Sequence, residues 1–384
     1  MSGVRRGRAT RNVAVVTGTR AEYGLLRSTM EAIAAHSRLR LQLVVTGMHL
    51  LKKFGHTVDE IRGDGWRIDA QVPMQRGLDD PLDHAEGLAR GVRGIAQHIE
   101  RLGTDWVVVL GDRVEAMAGA LAATTAGRML AHIHGGDVAP GDFDDRFRHA
   151  ISKLATVHFA ATKSAAKRLV RMGEEPSRVH VVGAPGFDRL RELLENAKPM
   201  KPKERSALVL YHPCGRTPPI ERRVMTAILN AVSAERLFQT VIYPNSDRGH
   251  HGVIEVIEAY RRRKGNDRLR VIRSMVRDDY LRALVSAAVI VGNSSSGVIE
   301  ACFAGTPAVN VGPRQRGREK GGRAVFDAGE SQRSIVSATR KALRSRPTAG
   351  APGPYGSGRV GPRIADLLSR TPVDASYAQK VITY

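Results

Sequence analysis

Two α/β halves, each a parallel sheet wound on both faces, are what this 384-residue sequence predicts. Short β-branched runs alternate with longer stretches of helical periodicity, the pattern of strand–helix–strand units. The runs are apolar at consecutive positions rather than alternate ones, as in strands covered on both faces. The alternation stops at a proline- and lysine-rich stretch near the middle and then restarts.

The first strand is NVAVVTG at 12–18, closed by glycine. Behind it, AEYGLLRSTMEAIAA sets Leu26, Met30, Ile33 and Ala34 on one helical face. Further strands read at 41–47 (LQLVVTG), 106–112 (WVVVLGD), 130–136 (LAHIHGG), 158–162 (HFAAT) and 179–186 (VHVVGAPG), with helical stretches such as 84–102 between most of them. After the break the strands read at 207–213, 240–245, 269–274, 289–295 and 307–312. The expected organisation is a basic disordered tail over 1–11, a Rossmann-like domain over 12–196, a linker over 197–206 and a second Rossmann-like domain over 207–362. A C-terminal helix within 363–384 is expected to cross back to the first domain. Such sheets bind ligands beyond the carboxyl ends of their strands, which predicts a site in the cleft between the halves.

Composition narrows the class. With 42 % hydrophobic residues the chain can bury cores, and no apolar run approaches the roughly 20 residues of a membrane-spanning helix. The apolar run at 13–16 is far too short for a signal peptide, and Cys214 and Cys302 alone make neither a disulfide framework nor a multi-cysteine zinc site. A soluble cytoplasmic protein is expected. Sixty Lys and Arg against 38 Asp and Glu leave a charge of +22, which reads either as a polyanion partner or as solvated arginine. The basic residues are spread along the chain, in short clusters at 5–8, 261–264 and 314–323, and no aromatics interleave with them for stacking on bases. A small phosphorylated ligand is therefore favoured over nucleic acid.

The polar clusters lie where strands end. Thr17-Gly18-Thr19-Arg20 opens a helix, and its free backbone N–H groups with Arg20 suit an anion, although an ordinary strand-to-helix turn reads the same way. It lacks the GxGxxG spacing of a dinucleotide fingerprint. Asp112-Arg113 with Glu115 follows the 106–112 strand, and His132-Ile133-His134-Gly135-Gly136-Asp137 follows the next. Beyond lie Asp142, Asp144 and Asp145 with Arg146, Arg148 and His149. Carboxylates recurring at strand ends among arginines and histidines point to acid/base chemistry, with solvated loop charge or an N-cap at Asp144 or Asp145 as the bland reading. His132 and His134 could instead be a metal pair on one strand face, but no third ligand is obvious. In the second half, Asn293-Ser294-Ser295-Ser296-Gly297 closes a strand and opens a helix expected over 298–304, a phosphate cradle or a capping box. Glu300, one turn in, is suited to sugar hydroxyls, Arg314 follows the next strand, and His212 follows the first strand of this half.

Taken in order, TGTRAEYG, LGDRVEA, HIHGGD, DDRFRHAISKLA, VGAPGFD, YHP, YPNSD, GNSSSGVIEA, GTPAVNVGPRQRGRE and PYGSGRVGPRI make the chain resemble the UDP-N-acetylglucosamine 2-epimerases from about 12 to 368. The likeness is strongest to the hydrolysing branch, which includes sialic-acid-pathway enzymes. It implies a GT-B-like fold with the active site between two Rossmann-like domains, the second binding UDP. It implies a UDP-sugar substrate, no cofactor and no metal, no nucleic acid or membrane partner, and a homodimer or homotetramer. It assigns acid/base work to Asp112, Asp137 and Asp144, with Arg113 and His149 in support. Arg20, Arg314, Ser294 and Ser295 would meet the diphosphate, Glu300 the ribose, and His212 and Asn245 would line the site from the second domain, His212 as a catalytic group. The family's usual HGGE is here HGGD, so Asp137 carries its carboxylate one methylene short, and Ser274 stands where some relatives carry histidine. The implied reaction is UDP elimination through a 2-acetamidoglucal, followed by hydrolysis to N-acetylmannosamine. Alternatives are a non-hydrolysing epimerase giving UDP-ManNAc, the same chemistry on a modified UDP-aminosugar, and a GT-B glycosyltransferase.

Overall fold

The computed structural model describes residues 10–78, 81–138, 144–196, 205–244, 249–263 and 267–383. Asn245, residues 1–9 of the basic tail and 197–204 of the linker lie outside the described residues. The chain divides into two compact units, one of Met1–Asp137, Arg146–Pro185 and Arg359–Tyr384, the other of Val138–Asp145 and Gly186–Gly358.

The first unit holds a seven-stranded sheet of β1 (Arg11–Thr17), β2 (Leu39–Thr46), β3 (Ala70–Val72), β4 (Trp106–Leu110), β5 (Met129–Ile133), β6 (Val157–Ala160) and β7 (Val179–Val181). Its order is β3-β2-β1-β4-β5-β6-β7, all parallel. Successive residues of β1 serve opposite faces. Val13 and Val15 pack with Leu26, Met30, Ile33 and Ile364, while Ala14 and Val16 pack with Ile95, Ile99 and Val109. Burial on both faces explains the unbroken apolar runs.

The second unit holds β8 (Ser206–Leu210), β9 (Phe238–Ile242), β10 (Leu269–Ile272), β11 (Val289–Gly292), β12 (Ala308–Val311) and β13 (Val325–Ala328), in the order β10-β9-β8-β11-β12-β13. These strands are parallel too. In each sheet the order reverses once, beside β1 and β4 in the first and beside β8 and β11 in the second. At such a switch point neighbouring connections leave to opposite sides and open a crevice at the carboxyl ends.

The sequence pattern misses β3 and β13, and the reason is length and composition: Ala70–Val72 has three residues and Val325–Ala328 carries an aspartate. The strand read to 136 stops at Ile133, because His134 and Gly136 take positive φ of 63° and 75°. The helix expected over 298–304 is instead Ser295–Ile299, with turns carrying the chain on to Gly305.

The C-terminal segment is tied into the first unit. Helix Val360–Arg370 packs on Arg20–Ala35, so closely that a Cβ on Gly361 would lie 2.3 Å from the Ser28 carbonyl oxygen. Lys380 Nζ donates to the carbonyls of Ser152, Lys153 and Ala155 at 2.8–2.9 Å and lies 2.5 Å from Glu174. Glu174 is buried and also holds His158 Nε2 at 2.8 Å and Lys153 Nζ at 2.7 Å. Burial alone would raise the Glu174 pKa, but the hydrogen bonds from His158, Lys153 and Lys380 outweigh it and hold it down to about 2. A carboxyl held low contributes stability that is complete above its unfolded value and is lost as pH falls through the folded one. Glu174→Gln is therefore expected to cost about 3 kcal/mol at pH 7, as breaking a buried ion pair does. Urea unfolding should show that difference narrowing between about pH 4.5 and pH 2; an equal deficit at both ends would exclude the charge as its source.

Candidate active site

In the first unit the ends of β4 and β5 are welded by buried polar contacts. Arg148, on the helix Asp144–Leu154, is 4 % exposed and ion-pairs with Asp112, while its Nη1 donates to the His134 carbonyl at 2.8 Å. His132 is fully buried, and burial pushes its pKa down to about 3. The neutral ring donates from Nε2 to the Gly111 carbonyl at 2.7 Å and accepts at Nδ1 from Ser152 Oγ at 3.1 Å. Both of its nitrogens are thus engaged, and His134, in the left-handed region, turns away from the strand register. The pair of histidines does not share a strand face, so the metal reading loses its geometric basis.

His134 Nδ1 instead bonds Asp137 Oδ2 at 2.9 Å, and Asp137 is 5 % exposed. The Asp137 carboxylate is therefore held by a histidine three residues back. Asp144 opens the helix that carries Arg148, one turn ahead of it, and both Asp144 and His149 are half-buried. Asp112, Arg148 and His132 are brought together by the fold, with Asp137 tied to the same loop through His134.

At the end of β1, Thr19 caps the helix Arg20–Ala35 by accepting from the Glu22 N–H at 3.4 Å. Arg20 Nε lies 2.7 Å from Glu60 Oε2, so its guanidinium is braced by a carboxylate whose own pKa is raised by burial. Arg113 stands at the N-cap of the helix Val114–Thr125, with its Nε 3.3 Å from Glu115 Oε2.

The second unit presents a different chemistry at its switch point. Asn293, fully buried at the end of β11, clamps the loop after β8: its Oδ1 accepts from the His212 N–H at 2.7 Å and its Nδ2 donates to the His212 carbonyl at 2.8 Å. Gly292 permits this approach, since a Cβ there would sit 2.0 Å from the Leu210 carbonyl oxygen. The Asn293 carbonyl accepts from Gln315 Nε2 at 2.9 Å and from Arg314 Nη1 at 3.4 Å. His212, Arg314 and Ser294 are thereby gathered around one asparagine. Arg216 supports the same loop, bonding Glu221, Glu330 and the Tyr211 hydroxyl, while Glu221 accepts the Cys214 N–H at 2.9 Å.

The serines divide their work. Ser294 caps the short helix by accepting from the Ser296 N–H at 3.3 Å, and Ser296 Oγ donates to Glu300 Oε2 at 2.6 Å while accepting from the Tyr280 hydroxyl at 2.6 Å. Ser295 is half-buried. Glu300 is 4 % exposed and already paired with the half-buried Arg277. A carboxylate has about four acceptor sites, so this pairing orients Glu300 without exhausting it.

Sequence reasoning missed Arg277, whose partner lies 23 positions away, and did not give Arg148, Asn293 or Glu115 a place in the site. The last three were visible only as members of motifs, and Arg277 lies in none of those motifs. An arginine in an otherwise amphipathic helix, or an asparagine behind a strand-ending glycine, is the signal that could have drawn attention to them.

Comparison with known proteins supplies the family. The chain matches the model for UDP-N-acetylglucosamine 2-epimerase over residues 31–369. It is 33 % identical over 381 residues to the UDP-N,N'-diacetylbacillosamine 2-epimerase (hydrolyzing) of Legionella pneumophila, covering 97 % of this chain and 100 % of that protein. It is 30 % identical to the UDP-N-acetylglucosamine 2-epimerase of Neisseria meningitidis, covering 86 % of this chain and 87 % of that one. In fold it resembles the crystal structure of a UDP-GlcNAc 2-epimerase from Neisseria meningitidis bound to UDP-GlcNAc, with a TM-score of 0.77 at 16 % identity over 94 % of this chain and 100 % of that one. The two Rossmann-like units are those of a GT-B-like fold, and the chain belongs to the UDP-N-acetylglucosamine 2-epimerase family.

Proposed function

We propose that this protein is a hydrolysing 2-epimerase that converts a UDP-2-acetamido sugar, in the simplest case UDP-GlcNAc, to the free 2-epimeric sugar and UDP. The observation that carries the reading is the division of chemistry between the switch points. Asp112 and Asp137 stand at the ends of β4 and β5, and His212, Ser294 and Arg314 at the ends of β8, β11 and β12.

The substrate's C2 proton is not beside a carbonyl, so direct removal is prohibitive. Breaking the C1–oxygen bond first releases UDP and places positive charge on the ring, which acidifies H2. Arg20, Arg113, Arg314, His212 and the Ser294–Ser295 turn meet the growing diphosphate charge, worth most where the donors are already oriented. Asn245 belongs to the same binding role, and Glu300 takes the ribose hydroxyls. One carboxylate among Asp112, Asp137 and Asp144 removes H2 to give the 2-acetamidoglucal. Another delivers a proton to C2 from the opposite face as water adds to C1, with His149 in support. One water is consumed, and UDP and the epimeric sugar are released. The Asp137–His134 pair reaches what a longer glutamate would reach alone, by passing the proton through the imidazole. The reading places the enzyme in the cytoplasm as a homodimer or homotetramer, as the family resemblance implies.

A second reading keeps the chemistry and changes the sugar. The 33 % identity to a diacetylbacillosamine 2-epimerase and the replacements at Asp137 and Ser274 favour a 2,4-diacetamido substrate. Incubation with UDP-GlcNAc and with its 2,4-diacetamido analogue, followed by chromatography, is expected to show UDP and free 2-epimer in equal amounts from at least one of them. A UDP-sugar epimer without free UDP would indicate the non-hydrolysing course, and unchanged substrate without an acceptor would indicate a glycosyltransferase.

Asp112→Asn removes the charge while leaving a side chain that Arg148 can still meet. Turnover is expected to fall at least ~1,000-fold with UDP affinity within about threefold, the mark of an interaction made only in the transition state. Turnover within tenfold of wild type would remove Asp112 from the acid/base role.

A further inference from the structure

Glu115 is fully buried in the first turn of the helix Val114–Thr125, and the chemistry described above does not use it. Its side chain fills the point at which the loops leaving four adjacent strands meet. A Cβ on Gly18, after β1, would lie 2.3 Å from its Cγ, and one on Gly47, after β2, would lie 2.5 Å from it. Only glycine fits at either place beside this carboxylate, and Gly47 also has a φ of 58°. From the segment after β3, Gln75 Nε2 donates to Oε1 at 3.1 Å. From the end of β4, Arg113 Nε donates to Oε2 at 3.3 Å.

An apolar side chain could fill the same space without the several kcal/mol that burying a charge costs. What leucine could not do is hold a guanidinium. We propose that Glu115 is a positioning residue for the reaction: it gathers the loops after β1, β2 and β3 and through Oε2 orients Arg113, next to Asp112, toward the anionic leaving group. This rests on the role of Arg113 in the proposed function. Arg113 has 32 % of its side chain exposed, and beyond the held Nε its Nη2 lies 3.6 Å from the Met48 sulfur in the segment after β2.

The neighbouring groups leave this pairing undisturbed. Glu22 is buried, and its pKa is pushed up to about 8, by burial first and also by the Glu115 charge, against the Gly18 N–H that its Oε2 accepts at 2.8 Å. It therefore carries a proton near neutrality and does not compete for Arg113. His49, held between Thr17 and Thr57, is pushed down to about 4 by burial and stays neutral, so it adds no cation of its own.

A double-mutant cycle over Glu115→Gln and Arg113→Lys tests the proposal, with kcat, KM and melting temperature measured on the UDP-sugar that the wild type turns over. Glu115→Gln is expected to lower kcat 10- to 100-fold with KM within threefold, because the oriented charge matters as the leaving group departs. On the Arg113→Lys background the same change is expected to cost less than twofold. A purely structural role would lower the melting temperature and multiply the two losses, and that outcome overturns the proposal, as does wild-type kcat in Glu115→Gln. Should that variant fail to fold, Gln75→Ala loosens Glu115 from outside. It is expected to cost three- to tenfold in kcat alone and nothing on the Arg113→Lys background, with equal losses on both backgrounds counting against the proposal. A wild type that releases UDP from no UDP-aminosugar removes the functional reading and this inference with it. Turnover by the wild type with a multiplicative cycle removes the inference only.

Discussion

Arg148 carries a permanent charge into the space between the ends of β4 and β5, where an unpaired guanidinium would cost several kcal/mol. Asp112 supplies the counter-charge and the His134 carbonyl supplies an acceptor, so one side chain fixes a carboxylate and a loop together. Around it, a neutral His132 ties the carbonyl before Asp112 to Ser152 on the helix that carries Arg148. The charge is tolerated because its partners are fixed, and the partners are fixed because the charge is there. Every role given to Asp112 and Asp137 depends on that closed set.

The second unit solves a comparable problem with a neutral group. Asn293 is buried with both ends of its amide engaged on His212, which holds two strand-end loops in register at no cost in charge. Asp112 and Asp137 thus stand at one switch point among arginines and histidines, and His212, serine hydroxyls and Arg314 stand at the other with Glu300 close by. In the proposed reaction the diphosphate takes donors and the sugar carbon takes bases. The excess of basic residues over the whole chain says less. Many of the arginines pair with nearby acids on the surface, as Arg62 does with Asp59 and Arg191 with Glu195, and such pairs contribute little.

Much of this architecture was legible in the residues, because parallel strands covered on both faces write themselves as unbroken apolar runs. β3 and β13 were not, being short and partly polar, and the Ser294 helix was placed too late because a serine cap looks like the end of the preceding loop. The candidate acids were legible through their position after strands. Their supports were not. Arg148 meets Asp112 across 36 positions and Gln75 meets Glu115 across 40, and pairings of that span exist only once the sheet order is known. The same limit hid the pairing of Glu300, which sequence alone assigned to a ribose and the fold first gives to Arg277.

The proposed reaction is elimination followed by hydration at a sugar carbon that carries no neighbouring carbonyl. Proton NMR of the reaction run in D2O tests it most directly. Every molecule of free 2-epimer is expected to carry one deuterium at C2, with UDP released in step and the 2-acetamidoglucal visible before steady state. A released epimer that keeps its original C2 hydrogen would contradict it, because no route through a 2-acetamidoglucal with protons exchanged against solvent retains that atom.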